Sequence, residues 1–292
     1  MSNGFAIDRL FAAVASKGHV CIGLDTCADY VPPSERRKAQ NDSEAVLAFN
    51  KALIDAAFDA ASCFKVQIAY YEEMGTAGLC AYAQTLKYIR DKNGIVIADI
   101  KRGDIADTAL RYAKAHFSGD FEADFVTLSP YMGMDAVEPW LSMAQKENKG
   151  AFVLMRTSNP GMKDFQYLEL ANGKRLYNEV GGKLAALPKG KNGYGLFGAV
   201  VGCTESEEAS EIRKNYPSLF FLIPGYGAQG GGAKEAALLL REKNGGVVNA
   251  SRSIITAWQK EGKDAESVSN LTAAEAAQRA AVKMRDEIAE IL

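Results

Sequence analysis

Ile95-Val96-Ile97-Ala98-Asp99-Ile100-Lys101-Arg102-Gly103-Asp104-Ile105 begins as an apolar strand and ends as a cluster of charge. Strand side chains alternate between faces, so the run points Asp99 and Lys101 to the same side. With Asp104, two carboxylates and a lysine fall within six residues at the end of a buried strand. Charges withdrawn from water without partners are costly. Such a cluster persists either as a neutralising ion-pair network or as a chemical site.

Working outward, short apolar runs recur at 19–24, 63–68, 94–100, 125–128, 151–155, 197–201, 219–223 and 246–249, eight strand candidates in all. Helical periodicity fills the intervals at 44–59, 78–90, 105–116, 134–145, 174–187, 205–214 and 234–243, and an alanine-rich helix follows Leu271. An opening helix over 5–16 would cap a barrel floor. Strands alternating with helices pair in parallel, and eight such units in 292 residues favour a closed (β/α)8 TIM barrel over an open doubly wound sheet. Residues 1–292 read as one such domain, without repeat, low-complexity tract or dividing linker. Two connections are longer than a barrel needs: the polar stretch 30–43, and 156–194, which surrounds one helix with glycine-rich loops. Either could cover a site.

The bulk composition narrows the function classes. A hydrophobic content of 48%, a charged content of 24% and a formal net charge of -2 describe an ordinary soluble globular chain. There is no basic block to attract nucleic acid or an anionic membrane, and no run long enough to span a bilayer. The five cysteines are odd in number, scattered and never in a C-x-x-C pair, so they read as reduced, mostly buried thiols. The start lacks a basic segment followed by an apolar one, which makes a cytoplasmic protein the expectation. Two histidines, His19 and His116, exclude a multi-histidine metal site, although not a carboxylate-bound Mg²⁺. Acid–base chemistry therefore falls to lysine or carboxylate.

In a barrel, chemistry belongs at the C-terminal ends of the strands. Asp25, Lys65, Asp99, Lys101, Ser129, Arg156, Pro224 and Ser251 all fall at or just beyond the predicted ends. Lys65, inside an apolar strand, must find an anion, and Asp25 is a candidate for the same polar cluster, with helix capping as the alternative. The loop Pro224-Gly225-Tyr226-Gly227-Ala228-Gln229-Gly230-Gly231-Gly232 follows the seventh strand, and Asn249-Ala250-Ser251-Arg252-Ser253 follows the eighth. These are the usual phosphate positions: glycines let N–H groups face an anion, a helix start adds a dipole, Arg252 supplies a bidentate charge and Gln229 a neutral donor. The plain alternative is a flexible loop beside a salt-bridged arginine. Ser158-Asn159-Pro160-Gly161 makes a turn on composition alone, yet its position could aim Ser158 into the barrel mouth. Asp104 and Thr108, four apart at a helix start, share a face, and their plain reading is capping and dipole compensation.

Asp99-x-Lys101-x-x-Asp104-Ile105-x-x-Thr108 resembles the catalytic signature of the orotidine 5′-phosphate decarboxylases, and Arg102-Gly103 resembles the version of their longer bacterial subfamily. Gly23-Leu24-Asp25, Phe64-Lys65, Ser158-Asn159-Pro160-Gly161, Pro224 to Gly231 and Ser251-Arg252-Ser253-Ile254 resemble the family's other site segments, in the same order. The resemblance implies decarboxylation of orotidine 5′-monophosphate (OMP) to uridine 5′-monophosphate (UMP), the last step of de novo UMP synthesis, with no metal or organic cofactor. Lys101 would protonate C6, Asp99 would lie near the departing carboxylate, and Asp25 and Lys65 would hold the ribose. Ser158 would contact the pyrimidine, and Gln229 and Arg252 the phosphate, with Pro224 and Ser251 among the binding residues. It also implies a homodimer in which Asp104, Ile105 and Thr108 serve the neighbouring site. The nearest rival is a related barrel such as a hexulose-phosphate synthase, with a similar Asp-x-Lys-x-x-Asp framework and Mg²⁺. A Schiff-base aldolase and a catalytically silent nucleotide binder are the others.

Overall fold

The computed structural model describes residues 4–205, 207–227, 230–262 and 264–292. Eight parallel strands close on themselves in sequence order: β1 (Val20–Gly23), β2 (Cys63–Gln67), β3 (Val96–Arg102), β4 (Phe125–Leu128), β5 (Gly150–Arg156), β6 (Phe197–Val201), β7 (Phe221–Ile223) and β8 (Gly246–Ala250), with β8 pairing β1. The strands are buried along almost their whole length, as parallel strands must be when side chains fill the barrel on one face and helices cover the other. That double burial is why they read as continuous apolar runs.

The helices are α1 (Ala6–Lys17), α2 (Pro33–Lys38), α3 (Asp42–Ala57), α4 (Ala69–Glu72), α5 (Gly75–Asp91), α6 (Ala106–Phe117), α7 (Glu138–Glu147), α8 (Leu176–Ala185), α9 (Ala209–Asn215), α10 (Ala233–Ala237), α11 (Arg252–Ile255) and α12 (Asn270–Ala289). On α1, Ile7, Leu10 and Val14 are buried, each burial worth roughly 1.5–3 kcal/mol. The helix is tied to the barrel floor by an ion pair from Arg9 to Asp124, whose other oxygen accepts the Val96 N–H at 2.9 Å. Ala273, Ala276, Ala277 and Ala281 line the buried side of α12, where small side chains let it lie close against α3. Inside the barrel, a side chain at Gly150 would collide with the Phe125 ring, which packs on Phe152 with centroids 5.1 Å apart.

Several boundaries depart from the periodicity. The polar excursion at 30–43 contains α2, started by Pro33 in its first turn, where proline loses no intrahelical bond. The helix expected over 234–243 is only α10, which ends at Ala237; Glu242 and Lys243 then take left-handed backbone angles ahead of β8. Of the five free thiols, Cys21, Cys63 and Cys203 are buried, Cys27 is half-buried, and Cys80 on α5 is exposed. Among the described residues no helix is long and apolar enough to cross a membrane.

Candidate active site

The polar cluster is centred on Asp99, which points from β3 into the mouth of the barrel and is buried. Its Oδ2 accepts from Lys65 Nζ at 2.9 Å and from Gln67 Nε2 at 3.0 Å, and its Oδ1 from Lys101 Nζ at 2.6 Å and Thr127 Oγ1 at 2.8 Å. Burial alone would raise the carboxyl, but Lys65 and Lys101 outweigh it and hold Asp99 well below the usual carboxylate range. Lys65 is buried as well. Desolvation would depress its ammonium, yet Asp25 Oδ1 at 2.9 Å and Asp99 together raise it well above the ordinary lysine value. Both groups are therefore charged at neutral pH, and the lysine has the anion that its place in an apolar strand requires.

Lys101 and Asp99 meet as the spacing predicts, but not through a regular pleat. The register runs Ala98 opposite Val126 and then Arg102 opposite Leu128, so Asp99, Ile100 and Lys101 face the single residue Thr127. Lys101 takes a left-handed φ of 46° inside this bulge. Its side chain is 47% exposed and reaches the cleft, in contrast to the buried Lys65.

Asp25, just past β1, is not a helix cap: the next short helix begins after Cys27 with no side-chain cap. Instead its Oδ2 accepts from Ser251 Oγ at 2.9 Å, which brings the ends of β1 and β8 together. Gly23 makes that contact possible, since any β-carbon there would collide with the Ser251 hydroxyl.

Two adjoining cavities share Lys65, Asp99, Lys101, Pro224 and Asn249 as a common wall. One, of about 230 Å³, runs beneath Leu154, Ser158, Val200 and Leu222 and is largely apolar. The other, of about 430 Å³, carries Asp25, Tyr226, Ser251 and Arg252. The Arg252 side chain is exposed and forms no ion pair among the described residues, so it is not the salt-bridged arginine of the plain reading. In the glycine loop, Gly225, Gly227 and Gly230 have positive φ, and the Tyr226 hydroxyl donates to Glu287 Oε2 at 2.6 Å, anchoring the loop to α12. Gln229, an expected phosphate donor, lies outside the described residues. The dipole expected at this site is slight, because α10 has five residues and α11 only four.

Asp104, Ile105 and Thr108 line neither cavity of their own chain. The Asp104 carboxylate accepts the Ile105 N–H at 2.8 Å and, among the described residues, pairs with no cation. It lies one residue before Ile105, the N-cap position of α6, which has no side-chain cap, so the capping role does not hold. Ile105 is 46% exposed, and Thr108 is exposed as well.

Some placements escape the sequence. Gln67 lies two residues beyond Lys65 on the same strand face, and alternation could have found it. Thr127 carried no usable signal, because threonine is common in strands. Arg156, at the end of β5, is fully buried and donates to the carbonyls of Gly202 and Glu205; it lines neither cavity and serves to hold the end of β6.

Residues 18–267 match the orotidine 5′-phosphate decarboxylase / HUMPS family. The chain is 55% identical over 289 residues to an orotidine 5′-phosphate decarboxylase of Clostridium acetobutylicum, covering 98% of this chain and 99% of the relative. It is 54% identical over 288 residues to one of Clostridium perfringens, covering 98% of each. The solved structure of Leishmania donovani OMP decarboxylase superposes with a TM-score of 0.76 at 27% identity, covering 98% of both chains. Leishmania donovani UMP synthase does so with a TM-score of 0.78 at 30% identity, over 98% of this chain and 56% of that one. With near-complete coverage at this identity, the chain belongs to the orotidine 5′-phosphate decarboxylase / HUMPS family.

Proposed function

We propose that this cleft converts OMP to UMP and CO2, with Lys101 as the proton donor to C6. The observation that carries the reading is the position of Lys101: its ammonium sits 2.6 Å from Asp99 where the apolar and polar cavities join. A pyrimidine ring fits the apolar cavity beside Ser158, while a ribose phosphate fits the polar one, with Asp25 and Lys65 toward the sugar hydroxyls and Arg252 toward the phosphate; the phosphate role of Gln229 rests on the family resemblance alone. Pro224 and Ser251 form walls of the same polar side. C6 then falls next to Lys101.

When the C6–carboxylate bond breaks, its electron pair stays on C6 in an orbital that the ring cannot delocalise. A fixed ammonium beside that carbon stabilises the growing charge, and a preorganised charge in a water-poor site is more effective than one in solvent. Lys101 then gives a proton to C6, and the neutral amine left behind regains one from water. Asp99 orients the ammonium and lies close to the departing carboxylate. Phosphate binding far from C6 supplies energy that positions the ring.

In this proposal the enzyme is a cytoplasmic homodimer, and Asp104, Ile105 and Thr108 enter the neighbouring chain's cleft. What supports it is that none of the three lines either cavity of its own chain, while Ile105 and Thr108 are exposed. The test is loss of the orotidine ultraviolet absorbance on mixing OMP with the purified protein. Turnover unaffected by EDTA supports the reading over a metal-dependent sugar-phosphate lyase. No turnover overturns it.

A further inference from the structure

Thr127 stands in the middle of β4 with its side chain buried, opposite the three-residue bulge of β3. In that bulge the Ile100 and Lys101 N–H groups both donate to Thr127 Oγ1, each at 2.9 Å. The same oxygen lies 2.8 Å from Asp99 Oδ1. The direction of each bond follows from chemistry. Two N–H groups can only donate, and an ionised carboxylate can only accept, so the hydroxyl must give its single proton to Asp99. One side chain thereby fills its whole capacity, two acceptor sites and one donor, on three consecutive residues of the catalytic strand.

We infer that Thr127 is a positioning residue: its hydroxyl holds the β3 bulge that turns the Lys101 ammonium onto Asp99 and into the cleft. The inference rests on the decarboxylase reading of Lys101. Although Thr127 borders the apolar cavity, its hydroxyl has nothing left to offer a ligand. Its action is on geometry. Without it, the Ile100 and Lys101 N–H groups lose their acceptor, Asp99 loses one of its four donors, and the left-handed backbone at Lys101 loses the hydroxyl that holds it.

Thr127→Val exchanges the hydroxyl for a methyl at nearly constant shape, and Thr127→Ser keeps the hydroxyl. The measurements are kcat and KM for OMP and the Kd of UMP for the wild type and both variants. Thr127→Val is expected to lower kcat by about 100-fold, the usual effect of a reacting group displaced by about 1 Å, while UMP affinity changes by only a few-fold. Thr127→Ser should recover most of kcat. A Thr127→Val enzyme with wild-type kcat, or a Thr127→Ser enzyme as impaired as Thr127→Val, overturns the inference. If Thr127→Val does not fold, Thr127→Cys takes its place: its thiol is a poor acceptor, so a fallen kcat with retained UMP affinity supports the role and an unchanged kcat removes it. Absence of wild-type turnover would defeat the decarboxylase reading as well, whereas normal wild-type turnover with an unimpaired Thr127→Val defeats only the role of Thr127.

Discussion

Lys101 and Asp99 lie two residues apart on β3 with 2.6 Å between Nζ and Oδ1, a contact formed through a bulge and a left-handed φ at the lysine. The same carboxylate is gripped on its other oxygen by the buried Lys65. A half-exposed ammonium is thus aimed by an anion that is itself immobilised. Mobility is removed from the reacting group before substrate arrives, which is the condition for electrostatic preorganisation.

Asp99→Asn breaks this buried array and leaves Lys65 with a single carboxylate. Removing one partner of a buried pair costs on the order of 3–5 kcal/mol, so the urea midpoint should fall substantially and turnover with it. Because the folded carboxyl lies below its unfolded value, its stabilising contribution is fully present above about pH 4 and is lost as pH falls further. Urea titrations of wild type and variant at neutral pH measure the loss, and equal midpoints would show that the array adds no stability.

Arg252→Ala tests the polar cavity. Charge-assisted hydrogen bonds are worth about 1.5–3 kcal/mol, so kcat/KM for OMP should drop roughly 10- to 100-fold or more. Orotidine without its phosphate should be processed by the variant as by the wild type. Steady-state assays of both substrates decide this, and equal losses on the two would remove Arg252 from the phosphate role.

Shared active sites can be read by mixing. Lys101→Ala and Asp104→Ala homodimers are each expected to be inactive, but subunit exchange makes hybrids with one intact site. If Asp104 serves the partner, activity should recover to about a quarter of wild type, the share expected from random reassortment of a two-fold dimer. A mixture that stays inactive after verified exchange argues that each chain uses its own Asp104.

His116, on α6, sits stacked against Phe121 with ring centroids 5.7 Å apart, and burial followed by the Arg102 charge pushes its imidazole down to about 4. Between about pH 6.5 and 4 the unfolded chain takes up a proton here that the folded chain refuses. Stability must therefore decline as pH falls through that window, by up to roughly 3 kcal/mol. His116→Phe removes the titration. Urea midpoints at pH 7 and 4.5 should separate less for the variant than for wild type, and an equal separation would contradict the assignment.

The eight strands were legible because double burial leaves each one an apolar run, and the charged residues at their ends stood out because a charge there must find a partner, although position alone did not separate the structural Arg156 from the residues of the cleft. That Lys65 needs an anion could be demanded by physics, and Asp25 could be named as a candidate; that Asp99 of another strand shares the same ammonium emerges only in three dimensions. The bulge at Asp99–Lys101 was not legible at all: it depends on the register against β4 and on one hydroxyl. Asp104 and Thr108 stood out as a motif, while their separation from the cleft of their own chain emerges only in three dimensions. The short α10 was hidden as well, since helical periodicity shows neither its end at Ala237 nor the left-handed turn at Glu242 and Lys243.

The central claim is that the Lys101 ammonium both stabilises the charge at C6 and protonates it. Its most direct test is the turnover of saturating OMP by Lys101→Ala, followed as loss of orotidine absorbance, with UMP binding as the control for an intact cleft. General acid catalysis and electrostatic stabilisation together predict a fall in kcat of at least about 10⁴-fold with UMP still bound. Near-normal turnover by that variant would contradict the account.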